Sequence, residues 1–452
     1  MQPLFKHQKQ SVAVLSKKPR LFDMSDPGTG KTRVEIEDIA KIHKLANACT
    51  LVIAPKSLLR CAWFDDFKKF APTVKCSVAT ALNRDKAFAE PADVYITNTD
   101  AVSWLAKQPP KFWMRFRNGT IIVDESSAFK HKDSQRSKAL IKISKNFPRR
   151  RNMSGTPNSN GICDLWHQVF FLDDGQRLGK SFFQFRSAVC NPEQVGPGPN
   201  MVKWVDKPNA EAAVSALIQD IVIRHKFEDC TDIPKNHQYP VSFYLNAKHK
   251  ALYAELEAAS ILFLKNTVIN AVNGASLYTK LLQMASGAVY NDEGGYTLVD
   301  TDRYDTVLDL VKARKHTIVF FNWVHQRDEL IKNATKRGLQ FALIDGTTTR
   351  VGERERIVEA YQKGLYDVLF AHPQSAGHGL TLTRGTATIW ASPTYNLEHY
   401  QQGLKRIHRI GQTEKTETIM LVAPGTIEEQ VYASLIDKNT RMSALLDYLK
   451  KE

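Results

Sequence analysis

Arg20-Leu21-Phe22-Asp23-Met24-Ser25-Asp26-Pro27-Gly28-Thr29-Gly30-Lys31-Thr32 reads as a strand, a tight turn of small residues and the start of a helix. Small side chains in the turn let backbone N–H groups wrap a phosphate, and the helix points the positive end of its dipole at it. In that reading Gly28, Thr29 and Gly30 form the cradle, Lys31 meets the β and γ phosphates of ATP, and Thr32 offers a hydroxyl to Mg²⁺. Ser25 stands where the general phosphate-loop pattern has glycine. The alternative is an ordinary glycine-rich turn, and Lys-Thr directly after Gly-x-Gly favours the nucleotide.

Further along, Ile121-Ile122-Val123-Asp124-Glu125-Ser126-Ser127 sets two carboxylates just past a buried strand, where open α/β sheets bind their ligands. Alone, such a pair is usually a helix cap or a solvated turn. Behind a phosphate loop, Asp124 suits a Mg²⁺ ligand and Glu125 a residue that orients water. Similar apolar runs recur at Leu51-Val52-Ile53-Ala54, Thr317-Ile318-Val319-Phe320-Phe321 and Val368-Leu369-Phe370, with amphipathic stretches between them. That alternation predicts an α/β chain with parallel sheets covered on both faces, once over about 20–160 and again over about 300–425. Ala210 to Arg224 and Lys248 to Leu264 have helical spacing, and Asn191 to Pro199 is rich in Pro and Gly. The expected division is a first lobe at 1–160, a mostly helical insert at 161–298 and a second lobe at 299–452. Thr426 to Lys451 reads as one or two closing helices.

Near the far end, Gln402-Gly403-Leu404-Lys405-Arg406-Ile407-His408-Arg409-Ile410-Gly411-Gln412 spaces two arginines three apart, which predicts both on one helical face. Such a fork can neutralise a transferring phosphoryl group, or it can be a basic surface helix. Lys and Arg total 62 against 47 acidic residues, a net charge of +15 that favours a polyanion such as nucleic acid. Lys145 to Arg151 could extend a basic track or be a solvated face. The six cysteines form no C-x-x-C pair, which argues against a zinc ribbon or a disulfide framework. No stretch approaches the roughly 18 apolar residues of a membrane span, and no secretory leader opens the chain, so a soluble cytoplasmic protein is expected.

Taken together these segments resemble superfamily 2 helicases, specifically the Swi/Snf-type branch of DNA translocases, which includes chromatin remodellers and compact bacterial and phage relatives. The resemblance spans nearly the whole chain. Leu4-Phe5-Lys6-His7-Gln8 is similar to the adenine-sensing segment, Ser25 to Thr32 to motif I, and Ala54-Pro55-Lys56-Ser57-Leu58-Leu59 to motif Ia, with Trp63, Asp66, Phe67 and Phe70 fitting the stretch after it. Ile96-Thr97-Asn98-Thr99 resembles the next nucleic-acid segment, Asp124 to Ser127 motif II, and Ser154-Gly155-Thr156-Pro157 with Asn160 motif III. Phe320-Phe321-Asn322-Trp323 looks like motif IV, Ile344-Asp345-Gly346-Thr347-Thr348 with Arg354 like the turn and helix after it, and Ser375 to Leu380 like motif V. Gln402 with Arg406 to Gln412 resembles motif VI, and Gly425-Thr426-Ile427-Glu428-Glu429 the closing helix. Ser126-Ser127, His378 and Tyr395-Asn396-Leu397 depart from the common pattern.

The resemblance implies two RecA-like lobes and an ATP- and Mg²⁺-dependent motor. Lys31, Asp124, Glu125, Arg406 and Arg409 would be catalytic. Gln8, Gly28, Thr29, Gly30, Lys31, Thr32 and Gln402 would bind nucleotide, and Thr32 and Asp124 the metal. Lys56, Ser57, Thr97, Asn98, Gly346 and Thr347 would lie along DNA phosphates. Closure of the lobes on ATP would then step the chain along double-stranded or branched DNA, in a bacterial host cytoplasm if phage-encoded. The alternatives are a strand-separating or branch-migrating helicase, a non-hydrolysing DNA clamp, and an adaptor that remodels RNA polymerase with the helical insert as its docking surface.

Overall fold

The computed structural model describes residues 3–46, 48–194, 202–230, 232–266, 271–291, 294–348, 352–376 and 380–449. The Pro- and Gly-rich loop lies outside these residues from position 195 on, as do Gly377, His378 and Gly379 of the expected motif V. The chain divides into a unit of Met1–Asn191, Val205–Asp232 and Lys438–Glu452 and a unit of Pro192–Trp204 and Ile233–Asp437.

The first unit opens with α1 (Lys6–Lys17), β1 (Arg20–Asp23), α2 (Lys31–Ala46) and β2 (Thr50–Ala54). β3 (Cys76–Ala79), β4 (Val94–Asn98), β5 (Thr120–Asp124) and β6 (Arg149–Met153) follow, then helices α3 (Leu165–Asp173) and α4 (Phe182–Val189) and the short strand β7 (Val222–Ile223). These strands form one sheet in the order β3-β4-β2-β5-β6-β1-β7. Every pairing in it is parallel. β2, β4 and β5 are buried along their whole length, as helices on both faces of a parallel sheet require. Trp63, Phe67, Val52, Ile96 and Ile122 share one core, and each fully buried aliphatic side chain there contributes roughly 1.5–3 kcal/mol.

The helical spacing expected from Ala210 to Arg224 holds only over Ala210–Ile218, because the β-branched pair Val222-Ile223 joins the sheet beside β1 instead. The Lys145 to Arg151 run is corrected too. Arg150 and Arg151 lie on β6 inside the sheet, at 4% and 0% exposure, so they are neither a nucleic-acid track nor a solvated face. Arg151 donates to the Leu15 and Lys18 carbonyls at 2.7 and 2.6 Å, filling acceptors that the end of α1 leaves open, and lies 3.6 Å from Asp38. Arg150 donates to the Phe171 carbonyl and to Asp174.

The second unit carries β8 (Asn236–Ser242), α5 (Ala247–Asn266), α6 (Ala271–Ala285), α7 (Asp302–Lys312) and β9 (Thr317–Phe320). After these come α8 (Val324–Lys336), β10 (Phe341–Ile344), β11 (Val368–Ala371), β12 (Ala387–Trp390), α9 (Leu397–Ile407) and β13 (Thr416–Val422). Its sheet, again wholly parallel, runs β8-β13-β12-β9-β11-β10. The closing segment is a single helix, α10 (Ile427–Tyr448). Arg303 and Glu428, both nearly inaccessible, pair at 2.8 Å, and Arg303 also donates to the Ala391 and Ala285 carbonyls, so the buried guanidinium is held by one carboxylate and two carbonyls. Among the described residues no helix is long and apolar enough to cross a membrane. The chain is thus an α/β protein of two parallel-sheet units, with the stretch between the two sets of central strands mostly helical.

Candidate functional site

In a parallel sheet all strands end at the same edge, so β1, β2, β4, β5 and β6 deliver their following loops to one side of the first unit. The loop after β1 is held from several directions. Gly28 and Gly30 have φ of 91° and 82°, left-handed values that a side chain would strain. A Cβ on Gly30 would also stand 2.3 Å from Gln8 Nε2. That Gln8 amide and the His7 ring nitrogen lie on the Thr29 carbonyl at 3.3 and 2.8 Å. The Lys31 ammonium donates to the Ser25 and Asp26 carbonyls at 2.7 and 3.2 Å, oxygens at the loop mouth whose role a phosphate oxygen can take over. Thr32, half-buried, begins α2 beside it.

A second fastening comes from a stretch that carries no motif. Arg224 donates to Asp26 Oδ1 at 2.6 Å, and the Phe227 amide donates to Asp26 Oδ2 at 2.9 Å. The His225 amide donates to Ser25 Oγ, and the Asp26 amide to the His225 carbonyl. The segment after β7 therefore fixes the outer wall of the loop, with Arg224 only 4% exposed.

β5 brings Asp124 to the same edge. The indole N–H of the fully buried Trp63 donates to Asp124 Oδ2 at 2.9 Å, and the Glu125 amide donates to Oδ1 at 3.1 Å. Burial pushes the Asp124 carboxyl above its ordinary range, while the Trp63 bond, the nearby Lys31 charge and the Glu125 amide pull it back. Glu125 is half-buried and sits at φ 52°, a left-handed conformation that costs a non-glycine residue on the order of 1–2 kcal/mol. It turns the chain sharply at the strand end. Behind it, Ser126 Oγ donates to Gln168 Oε1 at 2.7 Å, and Gln168 Nε2 donates to the Pro157 and Asp164 carbonyls. One buried glutamine on α3 thus joins the loops after β5 and β6. Gln168, beside His167 in the otherwise apolar Leu165-Trp166-His167-Gln168-Val169-Phe170-Phe171, was the sequence signal for it.

The residues expected along DNA divide. Lys56 is exposed and Ser57 half-buried in the turn after β2. Thr97 is fully buried, with its hydroxyl donating to the Ala79 carbonyl at 2.9 Å, and so faces the sheet rather than solvent. Asn98, 8% exposed, donates to Asp100. In the second unit, Gly346 and Thr347 are exposed after β10, where Asp345 Oδ1 accepts from the Thr347 amide and hydroxyl and Oδ2 from Arg327. Burial raises the Asp345 carboxyl, and those three donors outweigh it, holding the group below its usual range.

Gln402 and Arg406 lie on α9, buried, with Gln402 Nε2 donating to Glu398. The expectation of both arginines on one helical face is corrected, since α9 ends at Ile407 and Arg409 follows in the turn. At this turn the Gln412 amide nitrogen lies within hydrogen-bond distance of the Thr383, Gly385 and Ile407 carbonyls, His408 engages the Pro234 carbonyl, and Gly411 takes φ 98°. Both guanidiniums nevertheless converge on one acceptor, the Leu380 carbonyl, at 3.0 and 3.1 Å.

The donor set in the first unit suits a nucleotide with a hard divalent cation: an ammonium, a hydroxyl, helix N–H groups and carboxylate oxygens. Residues 7–287 match the SNF2-related domain, and residues 302–411 the helicase conserved C-terminal domain. The chain is 28% identical over 446 residues to protein p41 of Acyrthosiphon pisum secondary endosymbiont phage 1, covering 94% of each. It is 24% identical over 437 residues to an uncharacterized ATP-dependent helicase of Mycoplasma pneumoniae, covering 93% of this chain but only 39% of that one. Its fold was also compared with the Sulfolobus solfataricus SWI2/SNF2 ATPase core in complex with dsDNA, giving a TM-score of 0.46 at 21% identity, over 99% of this chain and 93% of that one. With that domain match running through more than half of its 452 residues, the chain belongs to the SNF2-related domain family.

Proposed function

We propose that the chain is an ATP-hydrolysing motor that translocates along DNA, chiefly duplex, and remodels DNA or DNA-bound complexes. The observation that carries this reading is the meeting of Lys31 and the Asp124-Glu125 corner at one sheet edge, close enough for the lysine charge to act on Asp124. Membership of the family, the helicase C-terminal match and the net charge of +15 support it.

In this mechanism the loop N–H groups and Lys31 bind and orient the phosphates, exchanging the Ser25 and Asp26 carbonyls for phosphate oxygens. Thr32 and Asp124 would hold Mg²⁺, which would supply positive charge to the phosphate oxygens. Glu125, held by its turn, orients the attacking water and accepts its proton. Gln8 and Gln402 complete nucleotide binding, and Arg406 and Arg409 supply cations for the charge that grows on the transferring phosphoryl group. Lys56, Ser57, Asn98, Gly346 and Thr347 contact the DNA backbone without reading its sequence, and Thr97 supports them from the core.

The test is steady-state ATP hydrolysis with no nucleic acid, blunt duplex DNA, single-stranded DNA or RNA, with Glu125→Gln as the matched control. Duplex DNA should stimulate most, and Glu125→Gln should lower kcat by at least about a hundredfold while leaving nucleotide affinity within a few-fold. Stimulation by single strands equal to or above that by duplex would favour strand separation. A folded, ATP-binding protein that no nucleic acid stimulates would overturn the motor.

A further inference from the structure

Beyond the loops already described, the first unit carries an exposed cluster of rings and cations. α4 begins Phe182-Phe183, and Phe183 is 59% exposed although its neighbour Phe185 is buried. The Lys132 ammonium lies 4.8 Å and the Arg186 guanidinium 5.3 Å from the Phe183 ring centre, and both also approach Phe182. Lys207 donates to the Ser187 and Ala188 carbonyls at the end of α4, and Lys180 is exposed just before its start. Within the cluster Asp133 pairs with Lys132 at 2.8 Å.

The scaffold below is firm. Phe182 packs edge-on against Trp166, which stacks on Phe170 and donates its indole N–H to the Gly179 carbonyl. Lys130 ties the loop bearing Lys132 to Ser159 and Asp164. Both supports leave the sheet edge that holds the candidate nucleotide site, the first directly after Glu125 and the second after Ser154 to Pro157. A solvent-facing ring held between cations has little reason to persist for stability, since exposed cation–π pairs contribute only about 0.5–1 kcal/mol. Its chemistry does suit a nucleic-acid strand, with cations for phosphates and a flat ring for a base. Bases inside a duplex keep their faces stacked on one another, so such a ring is matched by unpaired nucleotides.

We infer that Phe183, with Lys132 and Arg186 on its ring and Lys180 and Lys207 beside it, is a contact for unpaired nucleotides next to a duplex, so that tailed or branched DNA is the preferred substrate. The inference rests on the DNA-motor reading and adds a substrate class to it. Base stacking on an aromatic side chain carries enough affinity that its loss weakens binding on the order of tenfold.

The experiment measures fluorescence anisotropy of the full chain with a labelled duplex bearing an oligothymidine tail and with the same duplex blunt. Phe183→Ala should lose about tenfold in affinity for the tailed duplex and little for the blunt one. Phe183→Tyr should retain the tail preference. Lys132→Ala with Arg186→Ala should weaken binding of the tailed duplex and make its salt dependence shallower, because phosphate contacts are removed. Basal ATP hydrolysis and the melting temperature of Phe183→Ala should match the parent, since the ring is outside the core. A parent that binds tailed and blunt DNA equally, or a Phe183→Ala variant that keeps the tail preference, overturns this inference alone. A parent that binds neither DNA overturns the motor reading.

Discussion

Glu35 shows how much one side chain can reveal. It lies on α2, one turn beyond Lys31, at 1% exposure, and its Oε2 is buried with no hydrogen-bond partner among the described residues. Burial lifts its carboxyl from 4.5 to about 8; Arg151 opposes the shift, and Asp38, Asp23 and Asp124 add to it. A folded-state value above the ordinary one means that folding takes up a proton between those limits. The associated stability is fully present below about pH 4.5 and is lost as pH rises through about 8. Glu35→Gln cannot ionise and escapes that loss. Its melting temperature relative to the parent should therefore climb from about pH 5 to about pH 8 and then level off. A difference that stays flat across that range would mean Glu35 is ionised in the folded protein. Sequence reading passed over Glu35, because a glutamate in a helix is ordinarily solvated, and only packing shows which face it occupies.

Between elements, the decisive feature is the staple from the segment after β7 to the loop after β1. Arg224 and Asp26 are 198 residues apart in the chain, yet they meet at 2.6 Å with the arginine nearly inaccessible. Removing Arg224 leaves Asp26 with the Phe227 amide and partial access to water, so the cost falls below the roughly 3–5 kcal/mol of a fully buried pair. Arg224→Ala should thus lower the melting temperature by several degrees and weaken nucleotide binding, read by thermal melting and equilibrium titration. If Asp26→Asn on the Arg224→Ala background costs as much again, the two residues act independently and the staple is not what positions the loop. The elements themselves were legible: β2, β5, β9 and β11 fall where continuous apolar runs stand between turn residues. The end of α9 was not. The Arg-x-x-Arg spacing looked like continued helix, whereas the chain leaves the helix after Ile407 into a turn where the Gln412 amide meets the Thr383, Gly385 and Ile407 carbonyls.

For the whole molecule, charge and size set the terms. A net charge of +15 draws a polyanion from a distance and makes binding depend on counterion release. If about six phosphates are contacted, raising salt from about 50 to about 200 mM should weaken duplex binding on the order of a thousandfold. A shallow salt slope in the same titration would count against a backbone-tracking mode. The basic excess is not one surface, because Arg150, Arg151 and Arg303 are spent inside the two units on carbonyls and carboxylates. The chain covers 39% of the Mycoplasma pneumoniae relative's length, so the activities of that longer protein do not transfer as a set.

The sequence by itself determined the two parallel-sheet α/β units, the glycine-bearing turn between strand and helix at Ser25 to Thr32, the carboxylate pair at Asp124-Glu125 and the family pattern over most of the chain. These follow from periodicity and from residue types at short fixed spacing, which act locally. The tertiary structure alone decided that Trp63 orients Asp124, that Gln168 joins two loops, that Arg224 walls the loop after β1, and that Lys145 to Arg151 runs into the core. Each of these depends on which distant groups share a buried volume. In that volume a polar atom must find its partner wherever the chain brings one, and spacing along the sequence carries no record of the choice.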